Sequence, residues 1–231
     1  MNALYFKLIL LVSLFLQFSC KEELKIKEAE SLQNISEQHT YTEIYQLTCL
    51  DTLLSNQFNL KWKFHKFSDT ISNLDSNSLM VKITDKATNS ISDSLFLDGF
   101  HFGDPFSNCN AVRSYSTSIN SKAEIIDNNQ GDIVVADLNF DGLDDLAIAM
   151  DYGGNSGPVY VFYIQTESNK FVQDQFLTDS IMFFPDIDSK SKLLRTFTHA
   201  NAYELGEHTF QYNVKTKTWY KLSHRLLPVS D

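Results

Sequence analysis

The sequence predicts an all-β fold, a β-meander arranged as a propeller-like or sandwich-like body. Three observations carry that expectation. Short apolar or alternating runs recur from about residue 46, each closed by a cluster of Asn, Asp, Ser or Gly. The 231 residues include 18 Phe and 10 Tyr, types that suit a pleated, half-buried surface, against only 8 Gly and 4 Pro. Long helical periodicity is missing. The chain is 43% hydrophobic and 21% charged, which is a globular composition rather than a disordered one.

From the N-terminus, residues 1–19 (MNALYFKLILLVSLFLQFS) form a secretory signal. Lys7 supplies the positive end, Leu8 to Leu16 is an apolar run, and the segment is too short for a stable bilayer span. Ser19-Cys20 resembles the lipobox of bacterial lipoproteins, which implies a lipidated Cys20 as mature N-terminus and a membrane attachment through that lipid. Lys21-Glu22-Glu23 resembles the tag that sends some lipoproteins to the outer face of the outer membrane. The expected address is therefore the outer membrane, on its periplasmic face or at the cell surface. Residues 20–45 are polar, Glu/Lys-rich and poorly patterned, as a flexible tether would be, and residues 46–231 form a single β-domain.

Within that domain the candidate strands are 58–64 (FNLKWKF), 79–84, 94–100, 132–137, 145–151, 159–165, 193–199, 208–214 and 218–224. Phe210, Tyr212 and Val214 alternate, so one face of their strand turns inward. The "KTKT" that follows reads as the turn of a hairpin leading into "WYKL". No second copy of the acidic motif described below is present, which argues against a large multi-repeat propeller.

The formal net charge is −10, and the signal contributes one lysine and no acid. Such a chain is a poor nucleic-acid binder and suits cations or a basic protein partner. With Cys20 lipidated, Cys49 and Cys109 remain, an even pair in an oxidising compartment. They read as one disulfide closing a loop of about 60 residues, or as two buried thiols.

"VVADLNFDGLDDLAIAM" (134–150) crowds acids between two apolar runs. Counted from Asp137, the residues Asp137, Asn139, Asp141 and Asp145 fall at positions 1, 3, 5 and 9, with Gly142 at 6 and Leu143 at 7. Ca2+ takes six to eight hard oxygens, and a loop wound round it offers alternate side chains, a glycine turn and the carbonyl at position 7. The mutual repulsion of the acids is what an ion would relieve. Ile148 stands where an EF-hand needs its bidentate Glu, and the flanks read as strands, so the site is a calcium loop in a β-hairpin. Asp144 is expected to face solvent.

"DLNFDGLDDLAIA…GNSGPVYVFYI" resembles FG-GAP-like calcium-binding proteins. With "FVQDQFLTDSIMFFPDIDSKSKLLRTFTHA…HTFQYN" it also resembles bacterial lipoproteins that include periplasmic inhibitors of lysozyme-like enzymes and immunity proteins against lysozyme-like effectors. The resemblance covers about residues 130–225. It implies a propeller-like β-domain, a calcium loop and no catalysis. Inhibitors of that group present a Ser-Gly-x-Tyr loop to the enzyme cleft. Ser156, Gly157 and Tyr160 are the corresponding residues, with Tyr160 one position further along than the pattern; a plain Gly-rich connector is the competing account.

Enzyme signatures such as G-x-S-x-G, H-E-x-x-H and the P-loop are missing. The six histidines show no i, i+4 or clustered metal spacing. The expected activity is that of a catalytically inert binder of another protein, with a lysozyme-like cell-wall hydrolase as its partner. The alternative is a cell-surface binding or adhesion module with a structural calcium site.

Overall fold

The computed structural model describes residues 41–71, 75–98, 109, 114–116, 132–151 and 159–228. The expected signal, Cys20 and residues 20–40 of the expected tether lie outside them, as do Ser156 and Gly157.

The described chain is all-β. Strands β1 (Tyr41–Asp51), β2 (Phe58–Asp69), β3 (Asp75–Asp85) and β4 (Ile91–Asp98) form one antiparallel sheet in sequence order. The second sheet runs β5 (Ser114–Ser116), β6 (Ile133–Ala136), β7 (Asp145–Asp151), β8 (Val159–Gln165), β9 (Phe171–Gln173); only the β5–β6 pair is parallel. A short helix, α1 (Gln175–Ser180), leads to the third sheet, β10 (Asp186–Asp188), β11 (Leu193–His199), β12 (Glu204–Asn213) and β13 (Thr218–Pro228). The anticipated β12–β13 hairpin is present, pairing Asn213 with Thr218. Val214 falls just beyond the strand and is exposed. Strand β1 begins at Tyr41, so strand structure reaches further into the polar N-terminal segment than a boundary at 46.

The second sheet is the middle layer. Ile133, Val135, Leu146, Ile148, Val161 and Tyr163 pack on the first sheet, against Phe58, Leu60, Trp62, Leu79, Val81 and Ile83. Their neighbours Val134, Ala136, Ala147, Ala149, Tyr160 and Phe162 turn the other way, onto Leu177, Ile181, Phe184, Leu194, Phe210 and Trp219. Alternate residues of a strand face opposite ways, so a strand covered on both sides must be apolar throughout. That is why "IVVA" and "LAIA" are unbroken apolar runs.

Cys49, buried at the end of β1, is disulfide-bonded to Cys109, with 5.5 Å between the Cα atoms. The bond ties the first sheet to a segment 60 residues further along.

Candidate functional site

The acidic loop joins β6 to β7 in the middle layer. Its backbone is held by its own side chains. Asp137 takes the amides of Asp141 and Gly142 on its two oxygens, each at 3.0 Å. Asn139 Oδ1 accepts the same Asp141 amide at 3.0 Å, and Asp141 Oδ1 accepts Leu143 N–H at 2.9 Å. Asn139 Nδ2 donates to Asp141 Oδ2 at 2.9 Å. Gly142 turns through φ +87°, a conformation that side chains oppose, and Phe140 holds φ +63°. The loop is thus a chain of Asx turns, the local alternative to continued strand pairing.

Asp145 sits behind the loop and is fully buried. One of its oxygens accepts Gln165 N–H at 2.8 Å; the other accepts Leu138 N–H at 2.9 Å and Asn139 N–H at 3.3 Å. Burial pushes its carboxyl well above the usual value, and the three amides oppose that rise. Burial also raises Asp137, helped by the charge of Asp141 and opposed by the amides of Gly142 and Asp141.

The donors fit a hard cation in kind. Asp137, Asn139 and Asp141 give oxygens at alternate positions around a glycine turn, and an oxygen that accepts one amide keeps a lone pair. Asp145, engaged by three amides, is a clamp on the backbone behind the loop. Among the described residues no three His, Cys, Asp or Glu side chains already converge as a metal-holding group.

Asp144 departs from expectation. It is buried, not solvent-facing, because its carboxylate accepts the Ser55 hydroxyl at 2.7 Å. Its amide donates to Gln165 Oε1 at 3.1 Å, and Gln165 Nε2 in turn reaches Asn169 Oδ1 at 3.0 Å. Gln57 donates to the same Asn169 oxygen at 3.2 Å. This network stitches the β1–β2 loop of the first sheet to the acidic loop and the β8–β9 turn. Sequence reading missed it, since Ser55 and Asp144 are 89 positions apart.

Tyr160 requires a correction. It is fully buried in β8, its ring 5.7 Å from Phe184 in an edge-on contact, so it cannot enter a partner's cleft. The middle sheet is covered on that face, and the residue is core.

Beside the acidic loop lies a groove of about 860 Å3. Phe140 and Tyr212 line it, with Ile164 and Val172 adding apolar wall and Asp141 and Asp174 acid. Trp219 backs the floor, 5.0 Å from the Tyr212 ring and 6.2 Å from Phe140. Burial raises the Tyr212 phenol, and the charges of Asp141, Asp174 and Asp145 raise it further. Asp174 also caps α1, accepting Leu177 N–H at 2.9 Å. The sequence hinted at the loop; nothing in it brought Tyr212 alongside.

No family model matches this chain, and no curated protein matches it. Among solved structures it is similar to one described as "Structure of a Xanthomonas Type IV Secretion System related protein", at 14% identity and a TM-score of 0.48. The match covers 84% of this chain and 98% of that one. No helix of the described residues is long and apolar enough to cross a membrane.

Proposed function

We propose that this chain is a catalytically inert, calcium-stabilised lipoprotein that holds another protein against the groove beside the Asp137–Asp145 loop. The observation that carries the reading is the make-up of that groove. An aromatic floor of Phe140 and Tyr212 is edged by Asp141, Glu167 and Asp174, with Lys217 the single basic residue lining it among the described residues. Aromatic faces set among acids favour a partner's lysine or arginine side chains, through cation–π contact and ion pairing. The net charge of −10 adds long-range attraction for a basic partner. Calcium, when bound, supplies charge neutralisation at the loop; Asp137, Asn139 and Asp141 hold it, and the loop keeps the groove wall in place.

The partner to test is a basic, lysozyme-like cell-wall hydrolase. Tyr160 does not enter its cleft in this reading, because it is core. That burial also favours a second reading, a surface adhesion module whose groove takes a different basic protein. A pull-down with the calcium-loaded chain, followed by a muramidase assay on any hydrolase recovered, separates the two. Capture of a hydrolase, lost in a Tyr212→Ala variant, is expected. Recovery of other basic proteins alone, with muramidase activity unaffected by stoichiometric chain, would leave the adhesion module.

A further inference from the structure

A second pocket, of about 440 Å3, opens on the third sheet at the end of its buried face. Its polar lining is Ser180, Thr196, Thr198, His208 and Lys221. In a chain of net charge −10, no carboxylate lines it among the described residues. Each of these polar groups can donate a hydrogen bond.

The strand register builds the cluster. His208 on β12 lies directly opposite Thr196 on β11 and His224 on β13, and Gly206 lies opposite Thr198. The His208 and His224 rings stack, with centroids 4.5 Å apart. Both Nε2 atoms and the Thr198 hydroxyl converge above Gly206. A Cβ built there would stand 3.2 Å from His208 Nε2, 3.3 Å from His224 Nε2 and 3.5 Å from Thr198 Oγ1. A glycine is what leaves room for the two imidazoles. A register shift between Thr209 and Phe210 then pairs Phe210 with Lys221 rather than Leu222, which brings the lysine onto the same face. Phe176 and Met182 supply an apolar wall.

We propose that this pocket binds an organic carboxylate with a short apolar body, its carboxylate held by Lys221, His208 and Thr198, with His224 stacked against His208, and its body laid against Phe176 and Met182. The chemistry mirrors the acidic loop with the sign reversed. Burial and the charges of Lys221 and His224 hold His208 below the usual imidazole value, and an anion relieves that repulsion. β11 contributes hydroxyls here. On α1, Ser180 lines the pocket and the neighbouring Asp179 is engaged by Gln175.

The test is a titration of the purified chain with hexanoate, inorganic phosphate and zinc chloride in separate arms, read from the imidazole resonances of His208 and His224. Hexanoate is expected to shift both saturably, to bind more tightly at pH 5.5 than at pH 8, and to outbind phosphate. A lost charge-assisted hydrogen bond costs about tenfold or more in affinity, so Lys221→Gln is expected to weaken hexanoate by at least that factor. Lys221 is exposed, so the variant should fold, and its unchanged melting temperature checks this. No shift with hexanoate, equal shifts in Lys221→Gln, or phosphate binding as tightly as hexanoate would each overturn the proposal. Saturable perturbation by zinc alone would make the histidine pair a metal site instead.

Discussion

Asp145 on β7 accepts the backbone amide of Gln165 on β8 at 2.8 Å, and its other oxygen holds the amides of Leu138 and Asn139. A single buried carboxylate therefore joins the start of the acidic loop to the end of the next strand. The loop is pinned from behind, whatever happens at its front. Replacing Asp145 with alanine strands three amides in the core. Each unsatisfied buried donor costs about 1–3 kcal/mol, so Asp145→Ala should lose roughly 3 kcal/mol or more of unfolding free energy. Urea denaturation measures it. A loss below about 1 kcal/mol would show that water reaches these amides and that the clamp is unimportant.

Calcium should raise the melting temperature relative to chelator, and Asp141→Ala should abolish most of the difference. Extracellular calcium sites bind at about 10⁻⁴–10⁻³ M, so the increment should grow through the millimolar range. An increment that survives in both Asp141→Ala and Asp137→Ala places the ion elsewhere.

Gly142 has open space where a Cβ would go, yet its φ of +87° is unfavourable for any side chain. Gly142→Ala should therefore destabilise by about 1–2 kcal/mol through backbone strain alone. Thermal unfolding with and without calcium is the measurement, and a neutral substitution would mean the turn relaxes to another conformation.

Ser55 and Asp144 meet at 2.7 Å in a buried contact between two sheets. In a double-mutant cycle, Ser55→Ala and Asp144→Asn should couple by roughly 1 kcal/mol or more. Simple additivity of the two losses would show that the hydrogen bond contributes nothing to joining the sheets.

Reduction of the Cys49–Cys109 bond releases a loop of 60 residues. The chain-entropy model assigns such a loop about 4 kcal/mol. Unfolding in the presence and absence of reductant should show a difference of that order, and a Cys49→Ala, Cys109→Ala pair should reproduce the reduced behaviour.

His208 sets a pH dependence. Its folded value lies below the ordinary 6.5, chiefly from burial, with Lys221 and His224 adding to the shift. The unfolded chain takes up the proton first as pH falls. Stability is then complete above about pH 6.5 and declines as pH drops through that value toward the lower folded one. His208→Gln should flatten this part of the profile. Equal slopes for both proteins between pH 7.5 and 5.5 would assign the dependence to other groups.

Much of the architecture was legible in the chain. Unbroken runs such as "VVA" and "LAIA", set off by Asx clusters, could only be strands covered on both sides or buried helix, and their shortness selected strands. The loop was legible because its donors are local: Asp137, Asn139, Asp141 and Gly142 lie within six residues. β1 was not, because Tyr41–Asp51 is mostly exposed and its alternation of Tyr45, Leu47 and Cys49 is confined to a few residues at the end of a polar segment. β5, β9 and β10 have three residues each, below the length at which a pattern can show.

The sequence by itself determined the strand class, the acidic turn and the pair of cysteines, since each depends on neighbours in the chain or on counting. Only the tertiary structure decided which side chains meet. β8 carries Tyr160 and Tyr163 on opposite faces, and the coverage of both faces buries both, so neither is a contact for a partner. In β13 the single-residue shift at Thr209/Phe210 changes the parity of everything before it. Trp219 turns into the core, Lys221 joins the histidines, and Tyr220 and Leu222 are left exposed. A strand's two faces alternate residue by residue, so one extra residue in one partner exchanges inside for outside, and that extra residue is chosen by pairing across the sheet rather than by any local pattern.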